Sequence, residues 1–419
     1  MAPLNDPNSF LKDLFTKAVA RADPMVCVPQ FLGPKPAGRS VVLGAGKASA
    51  RMAEALEAAW GPWEGFIITR YGYGRPTSGI EIAEAAHPVP DAAGVEATRR
   101  LLARAADLTE DDTCIMLMSG GGSALLCAPA QGITLEDKQA LAADMLASGM
   151  PIGDINGIRK ELSAVKGGRL AAAVYPAKLR VLMISDVPGD QPGDIASGPT
   201  VGHDGNAALA LETLAKWGVT PPPSIAAFLK AGGDPIKAQD PRLAGVENII
   251  IAAPSHSLQA AAEFAEDYGV EVRILGDDLE GEARDLAARQ AQMAMDLSAQ
   301  GLDRPVLLMS GGECTVTRRG NGVGGPNAEF TLAAAVALRG HPRIHVIACD
   351  TDGVDGAAEV AGAVADPTTL ALGEAIGISA QAQLNENNAH GFFEAIGAQV
   401  VTGPTMTNVN DFRAILVMP

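Results

Sequence analysis

Residues 305–329 read PVLLMSGGECTVTRRGNGVGGPNAE. The apolar run at 306–309 has the pattern of a buried parallel strand. It stops at Ser310-Gly311-Gly312-Glu313. A glycine-rich, basic loop follows, carrying Arg318, Arg319, Gly320, Gly322, Gly324 and Gly325, and an Ala-rich helical pattern starts at Asn327. A strand that ends in glycines and hands over to a helix exposes backbone N–H groups, which suit an anion such as phosphate. A flexible loop over a sheet end is the plainer alternative. The chain repeats the arrangement, because residues 114–126 read CIMLMSGGGSALL.

Working outward, residues 41–43 form a buried-strand pattern, followed by Gly44-Ala45-Gly46-Lys47, a helix over 48–59 and a strand over 66–69. This unit begins a doubly wound α/β domain. The turn resembles the dinucleotide fingerprint G-x-G-x-x-S. However, Thr69-Arg70 stands where that fingerprint has its ribose-binding acid. Lys47 falls at a helix N-terminus, where an ammonium is unfavourable unless an anion lies between them; a lysine pointing to solvent is the alternative. Neither Ser119 nor Ser123 matches the G-x-S-x-G elbow. The stretch Ser119, Gly120, Gly121, Gly122 and Ser123 therefore reads as phosphate-cradling hydroxyls and N–H groups. His87, in a loop with two prolines, is either catalytic or simply hydrogen-bonded. Residues 10–22 predict a helix capped by Asn8 or Ser9.

Arg159, Lys160, Lys166 and Arg169 concentrate positive charge over 155–170, with Arg159, Leu162 and Lys166 on one side of a helix. A solvated helix face is the alternative. Two strands end in aspartates: 181–184 leads to Asp186 and Asp190, then Ser197, and 344–348 leads to Asp350, Asp352 and Asp355. Acidic groups at the carboxyl end of a buried strand suit Mg²⁺ in phosphoryl transfer, or an Asx-turn closing the strand. The second run is no EF-hand, since Ala361 stands at its twelfth position. Residues 230–242 read as a linker, which divides the chain into 1–235 and 236–419.

A length of 419 residues predicts two domains. With 47% hydrophobic but only 4% aromatic residues, the core must be aliphatic. A net charge of -17 argues against nucleic acid or an anionic membrane as partner. Cys27, Cys114, Cys127, Cys314 and Cys349 form no C-x-x-C pair and read as buried free thiols. No apolar run reaches membrane-spanning length and the N-terminus lacks a signal pattern, so a cytoplasmic protein is expected.

In their shared order, several motifs resemble the class II glycerate kinases, the D-glycerate 2-kinase family whose C-terminal part is the MOFRL domain. They are Gly44 to Ala48, His87-Pro88-Val89-Pro90-Asp91, the Ser119 loop, Arg159-Lys160 with Lys166-Gly167-Gly168, the Asp186–Asp190 and Asp350–Gly353 strand ends, Ser310 to Glu313, and Thr407-Asn408-Val409-Asn410-Asp411. The resemblance implies ATP- and Mg²⁺-dependent phosphorylation of D-glycerate to 2-phosphoglycerate. It also implies a Rossmann-like N-terminal domain, a smaller α/β domain and an active site in the cleft between them. Lys47, Asp186 and Asp190 would be catalytic, and Asp350 and Asp352 would hold the metal. Ser119 to Ser123, Arg159, Lys166, Ser197, Ser310, Gly311, Gly312, Glu313, Asn327, Asn408, Asn410 and Asp411 would bind substrate and phosphates. The family's Gly-Gly-Arg-Asn-Gln-Glu pattern reads Gly324-Gly325-Pro326-Asn327-Ala328-Glu329 here, so Arg318 or Arg319 would have to replace the arginine. A homodimer stays open. Two rivals remain: a nicotinamide-dependent hydroxypyruvate reductase, and a non-catalytic binder of sugar acids or nucleotides.

Overall fold

The structure, a computed structural model, describes residues 4, 6–233 and 235–419. Its strands are β1 (Ser40–Ala45), β2 (Gly65–Arg70), β3 (Ile80–Ala85), β4 (Thr113–Met118), β5 (Lys178–Ile184), β6 (Val246–Ala252) and β7 (Glu271–Gly276). Then come β8 (Gly281–Glu282), β9 (Val306–Ser310), β10 (Cys314–Thr315), β11 (Ile344–Asp350), β12 (Gly362–Ala365), β13 (Gln399–Val400) and β14 (Asp411–Val417). They belong to two compact α/β units. The first holds Pro24–Ser185 and Asp190–Ile251. The second gathers the N-terminal segment through Asp23, the short piece Asp186–Gly189, and Ala252–Pro419. The polar stretch between Lys230 and Arg242 lies within the first unit. There His203 N donates to Ile236 O at 3.0 Å and Lys237 Nζ to Gly205 O at 2.8 Å. Glycine and proline mark a loop in that stretch, and the division of the chain falls later.

The first unit is built on a six-stranded sheet in the order β3-β2-β1-β4-β5-β6. The pairs from β3 through β5 are all parallel. Strand order therefore reverses between β1 and β4, and the loops after these two strands flank the switch point. Gly44 is needed there because a Cβ would sit 2.1 Å from Leu117 O of β4. β3, IEIAEA, has no continuous apolar run, as suits its place at the sheet edge.

The second unit has a six-stranded sheet ordered β13-β12-β11-β14-β9-β7. The run at 306–309 is fully buried as expected, but it is not a purely parallel strand: β9 runs parallel to β7 and antiparallel to β14. Both faces of the sheet are covered. Leu307, Met309, Ile347, Ala414 and Leu416 face the Pro7–Ala22 and Pro254–Asp267 helices. Val306, Leu308, Val346, Ile415 and Val417 face the Ala283–Ala299 and Pro326–Leu338 helices. Burial on both faces produces the same unbroken apolar run whatever the strand direction.

The Pro7–Ala22 helix is capped by Asp6, whose Oδ1 accepts from Asn8 N and Ser9 N at 3.1 Å. Asn8 and Ser9 are thus its first-turn residues. Phe10 stacks on Phe264 and Phe15 meets Phe412, with ring centroids 6.0 and 5.9 Å apart. The Pro326–Leu338 helix is apolar around almost its whole circumference and is buried accordingly. All five cysteines are free and buried, and burial pushes the Cys114 thiol up to about 12.

Candidate active site

In the first unit, the turn after β1 closes on the loop after β4. Gly46 N donates to Ile68 O (3.1 Å), Lys47 N to Gly120 O (2.8 Å) and Ser49 N to Gly46 O (3.2 Å). Ala48 N donates to the buried Ser119 Oγ at 2.9 Å, and Thr69 Oγ1 donates to Gly46 O at 3.1 Å. The N–H groups that a dinucleotide's pyrophosphate would need are already engaged. Among the described residues, the backbone N–H groups of Gly120, Gly121 and Ser123 have no acceptor, so the open donors belong to the β4 loop.

Around that loop the chain gathers polar and cationic groups. Gly121 has φ of 78°, and a Cβ there would come within 3.0 Å of Lys47 Cγ and 3.1 Å of His87 Nε2. Lys47 and His87, both half-buried, therefore lie against the same glycine. The Ser123 and Ser197 hydroxyls are hydrogen-bonded to each other. Asp190, Ala196 and Ser197 all have positive φ, 52°, 53° and 63°. Such strain in non-glycine residues is held only where the surroundings enforce it. Among the described residues the buried Asp190 Oδ1 has no hydrogen-bond partner.

The helix carrying Arg159 is Ile152–Glu161, so Arg159 and Lys166 do not share a helix. Both nevertheless reach the Ser123 carbonyl: Arg159 Nη2 at 3.3 Å and Lys166 Nζ at 2.8 Å. Lys166 also donates to Leu126 O at 3.0 Å. It is only 2% exposed, which rules out a solvated face. Burial, reinforced by Arg159 and Lys138, drives its ammonium well below the ordinary lysine range.

In the second unit the polar loops at the ends of β9, β11 and β14 meet in a buried network. Arg413, fully buried, pairs with Asp411 at 2.9 Å and donates to Ser310 Oγ at 3.3 Å and to Gly311 O. Ser310 Oγ also accepts from Gln290 Nε2 at 3.0 Å, and Gly312 O accepts from Asp411 N at 3.2 Å. Asn327 Nδ2 donates to Asp411 Oδ1 at 2.6 Å. Asp355 accepts from Asn327 N and Ala328 N, and its Oδ2 lies 2.9 Å from His390 Nε2. Burial pushes the Asp411 carboxyl up to about 6, against the pull of Arg413.

The two expected metal carboxylates lie at the end of β11. Asp350 Oδ1 accepts from Asp352 N and Asp352 Oδ1 from Val354 N, both at 2.9 Å, which makes each an Asx-turn as well. Asn408 Nδ2 donates to Asp186 Oδ2 at 3.1 Å, and its Oδ1 accepts from Asn410 N at 3.2 Å. Glu313 is exposed. Among the described residues no group of three His, Cys, Asp or Glu is placed to hold a metal, and none of the helices is long and apolar enough to cross a membrane.

Residues 10–230 match the family described as a domain of unknown function (DUF4147), and residues 306–411 match the MOFRL family. A Thermotoga maritima protein named D-glycerate 2-kinase is 35% identical over 99% of this chain and 100% of its own length. A crystal structure of a glycerate kinase from the same organism superposes with a TM-score of 0.89 at 34% identity, covering 99% of each chain. The chain belongs to the glycerate kinase family. A protein from Agrobacterium vitis named "Putative hydroxypyruvate reductase" is 47% identical over 97% of this chain and 94% of its own length.

In this glycerate kinase family member, of the first-unit residues singled out from sequence, Lys47, Ser119 to Ser123, Arg159, Lys166 and Ser197 lie together. Those of the second unit divide. Ser310, Gly311, Asn327 and Asp411 are engaged in the buried network, while Asp350, Asp352, Asn408 and Asn410 lie in the turns beside it. Sequence reading missed Arg413, His390 and the part played by Asp355. An arginine inside the apolar strand DFRAILV was the available signal for Arg413. Likewise Glu329, 0% exposed in an otherwise apolar helix, pairs with Arg284 at 2.6 Å. Pro326 occupies the first helical position, where its missing N–H costs nothing. Arg318 and Arg319 are both exposed on the preceding loop.

Proposed function

We propose that the protein transfers the terminal phosphoryl group of ATP to the 2-hydroxyl of D-glycerate, giving 2-phosphoglycerate and ADP. The observation that carries this reading is the meeting of Lys47, His87 and the open N–H groups of Gly120, Gly121 and Ser123 at the switch point of the parallel sheet. That strand order supports a Rossmann-like description of the first unit, whose ligands bind outside the carboxyl ends of the strands.

Phosphoryl transfer depends on positioning and charge neutralisation more than on covalent chemistry. Lys47 stabilises charge on the transferring group or on the glycerate carboxylate. The Gly120, Gly121 and Ser123 N–H groups hold anionic oxygens. Arg159 and Lys166 hold the Ser123 carbonyl and so fix the loop that presents them. Asp190, with its unpartnered Oδ1, is the acceptor best suited to the attacking hydroxyl, and Asp186, held by Asn408, is the alternative. Asp350 and Asp352 are the residues that would hold Mg²⁺, since this ion commonly takes one or two carboxylates plus substrate phosphates. Bound Mg²⁺ supplies charge neutralisation across the phosphates. The Asp411–Arg413–Asn327 network supports the second unit's loops from beneath.

The reductase reading draws on the Agrobacterium vitis name. The engaged Gly46, Lys47 and Ala48 N–H groups and the missing ribose acid weigh against it. Incubation with ATP, Mg²⁺ and D-glycerate, followed by phosphorus NMR, tests the proposal. A 2-phosphoglycerate signal is expected. Absence of any new phosphoester, together with loss of NADH absorbance on adding hydroxypyruvate, would establish the reductase instead.

A further inference from the structure

We propose that an aliphatic cavity in the first unit receives the base and ribose of the phosphate donor, and that Lys138, Arg159 and Lys166 receive its phosphates. The proposal rests on the kinase reading above. The cavity has a volume of about 350 Å³. Leu141, Met145, Ile155 and Leu162 form its walls, and the three cations and Ser123 also line it.

Among the described residues no carboxylate lines this cavity, and none is paired with Lys138, Arg159 or Lys166. Lys166 turns two of its N–H bonds to the Ser123 and Leu126 carbonyls, whereas among the described residues the Lys138 ammonium has no partner. Burial lowers the proton affinity of all three groups, and mutual repulsion adds to it at Lys166. Cations gathered in apolar surroundings call for a counter-anion.

The shape of the charge distribution selects the anion. Glycerate carries a carboxylate and two hydroxyls and needs polar partners along its whole length, which aliphatic walls do not supply. A nucleotide is anionic at one end and has a broad apolar ring at the other, and the cavity is polarised in the same sense. Its volume lies in the range of pockets that enclose ligands of that size.

The test is calorimetric titration of ADP into the wild type, Lys138→Met and Ala142→Phe, with circular dichroism as the check on folding and the glycerate KM measured in parallel. Ala142 lines the cavity, so phenylalanine there occupies the proposed base site. Both variants are expected to bind ADP about tenfold or more weakly, the scale of one lost bond to a charged group, with the glycerate KM unchanged. Folded variants that bind ADP as the wild type does would overturn the assignment while leaving the kinase reading intact. A raised glycerate KM with unchanged ADP binding would make this the acceptor site instead. A wild type that neither binds ADP nor phosphorylates glycerate would remove the kinase reading and this assignment with it.

Discussion

Replacing Asp355 with alanine removes a carboxylate that holds several partners at once. Its two oxygens accept from Asn327 N at 3.0 Å and Ala328 N at 2.8 Å, and His390 Nε2 lies 2.9 Å from Oδ2. Both amides belong to the first turn of the Pro326–Leu338 helix. The N-cap residue, Gly325, has no side chain to offer, so Asp355 caps the helix from a separate segment. A hydrogen bond to a charged group contributes ~1.5–3 kcal/mol, and a partly buried charge at a helix end adds up to ~2 kcal/mol. Desolvation of the carboxylate offsets part of this. Removing one partner from a buried charged cluster typically costs ~3–5 kcal/mol, and that is the expected loss for Asp355→Ala. Asp355→Asn keeps the shape and one acceptor and should lose roughly half as much. Urea unfolding followed by circular dichroism gives the magnitude. Amide hydrogen exchange over the helix gives the location, with protection at Asn327 and Ala328 falling first. If Asp355→Ala unfolds within ~0.5 kcal/mol of the wild type, the size of a neutral surface change, and those amides stay protected, the capping argument is wrong.

Lys47→Ala should lower turnover at saturating ATP and glycerate by about a hundredfold, as for loss of one transition-state charge contact; near-normal turnover would remove Lys47 from the mechanism. Pro326→Arg, which restores the arginine of the family pattern, should raise turnover while costing at most ~1 kcal/mol of stability, and an unchanged or lower rate would show that the loop serves without it. The Asp411 carboxyl stands at about 6 in the fold against an ordinary 3.8, so the folded protein holds this proton more tightly than the unfolded chain does. Its contribution is therefore fully present in acid and is lost as pH rises through about 6. A displacement of that size is worth ~3 kcal/mol. The stability of the wild type relative to Asp411→Asn should shift by about that amount in the wild type's favour as pH falls from about 7 to about 4. Parallel denaturation midpoints across the range would refute it.

The strands were legible because burial on both faces leaves unbroken apolar runs, and β9, β11 and β14 all carry one. Their directions were not, since a two-sided core erases the alternation that would betray an antiparallel sheet. β3 escaped notice because Glu81 and Glu84 interrupt it at the sheet edge. The first-unit site was legible wherever short motifs stay together in sequence, as in the Ser119 to Ser123 loop. Lys166 was seen as a cation, but its burial depends on the loop at Ser123, 43 residues away. The second-unit network was opaque for the same reason on a larger scale. Arg413 reaches Gly311 across 102 positions, and Asp355 reaches Asn327 across 28. A flexible loop was the plainer alternative for the 318–325 glycines, yet a Cβ at Gly320 would sit 2.4 Å from Glu386 Cα. That residue is small because another backbone lies against it.

The Pro7–Ala22 helix is made long before the last strand of the sheet it covers. Its Phe10, Leu11, Leu14 and Phe15 fill one face of a sheet whose last strand in sequence is β14. On the ribosome this amphipathic segment emerges with its sheet incomplete until β14 has followed. The first unit has all of its own strands by residue 252 and is free to fold during synthesis, as N-terminal units do. The second is complete only once β14 has been made. Translation arrested anywhere between β9 and β14 leaves the helix without part of the sheet it packs on. Excising residues 252–419 as a separate piece would leave bare the surface that Phe10 and Phe15 cover.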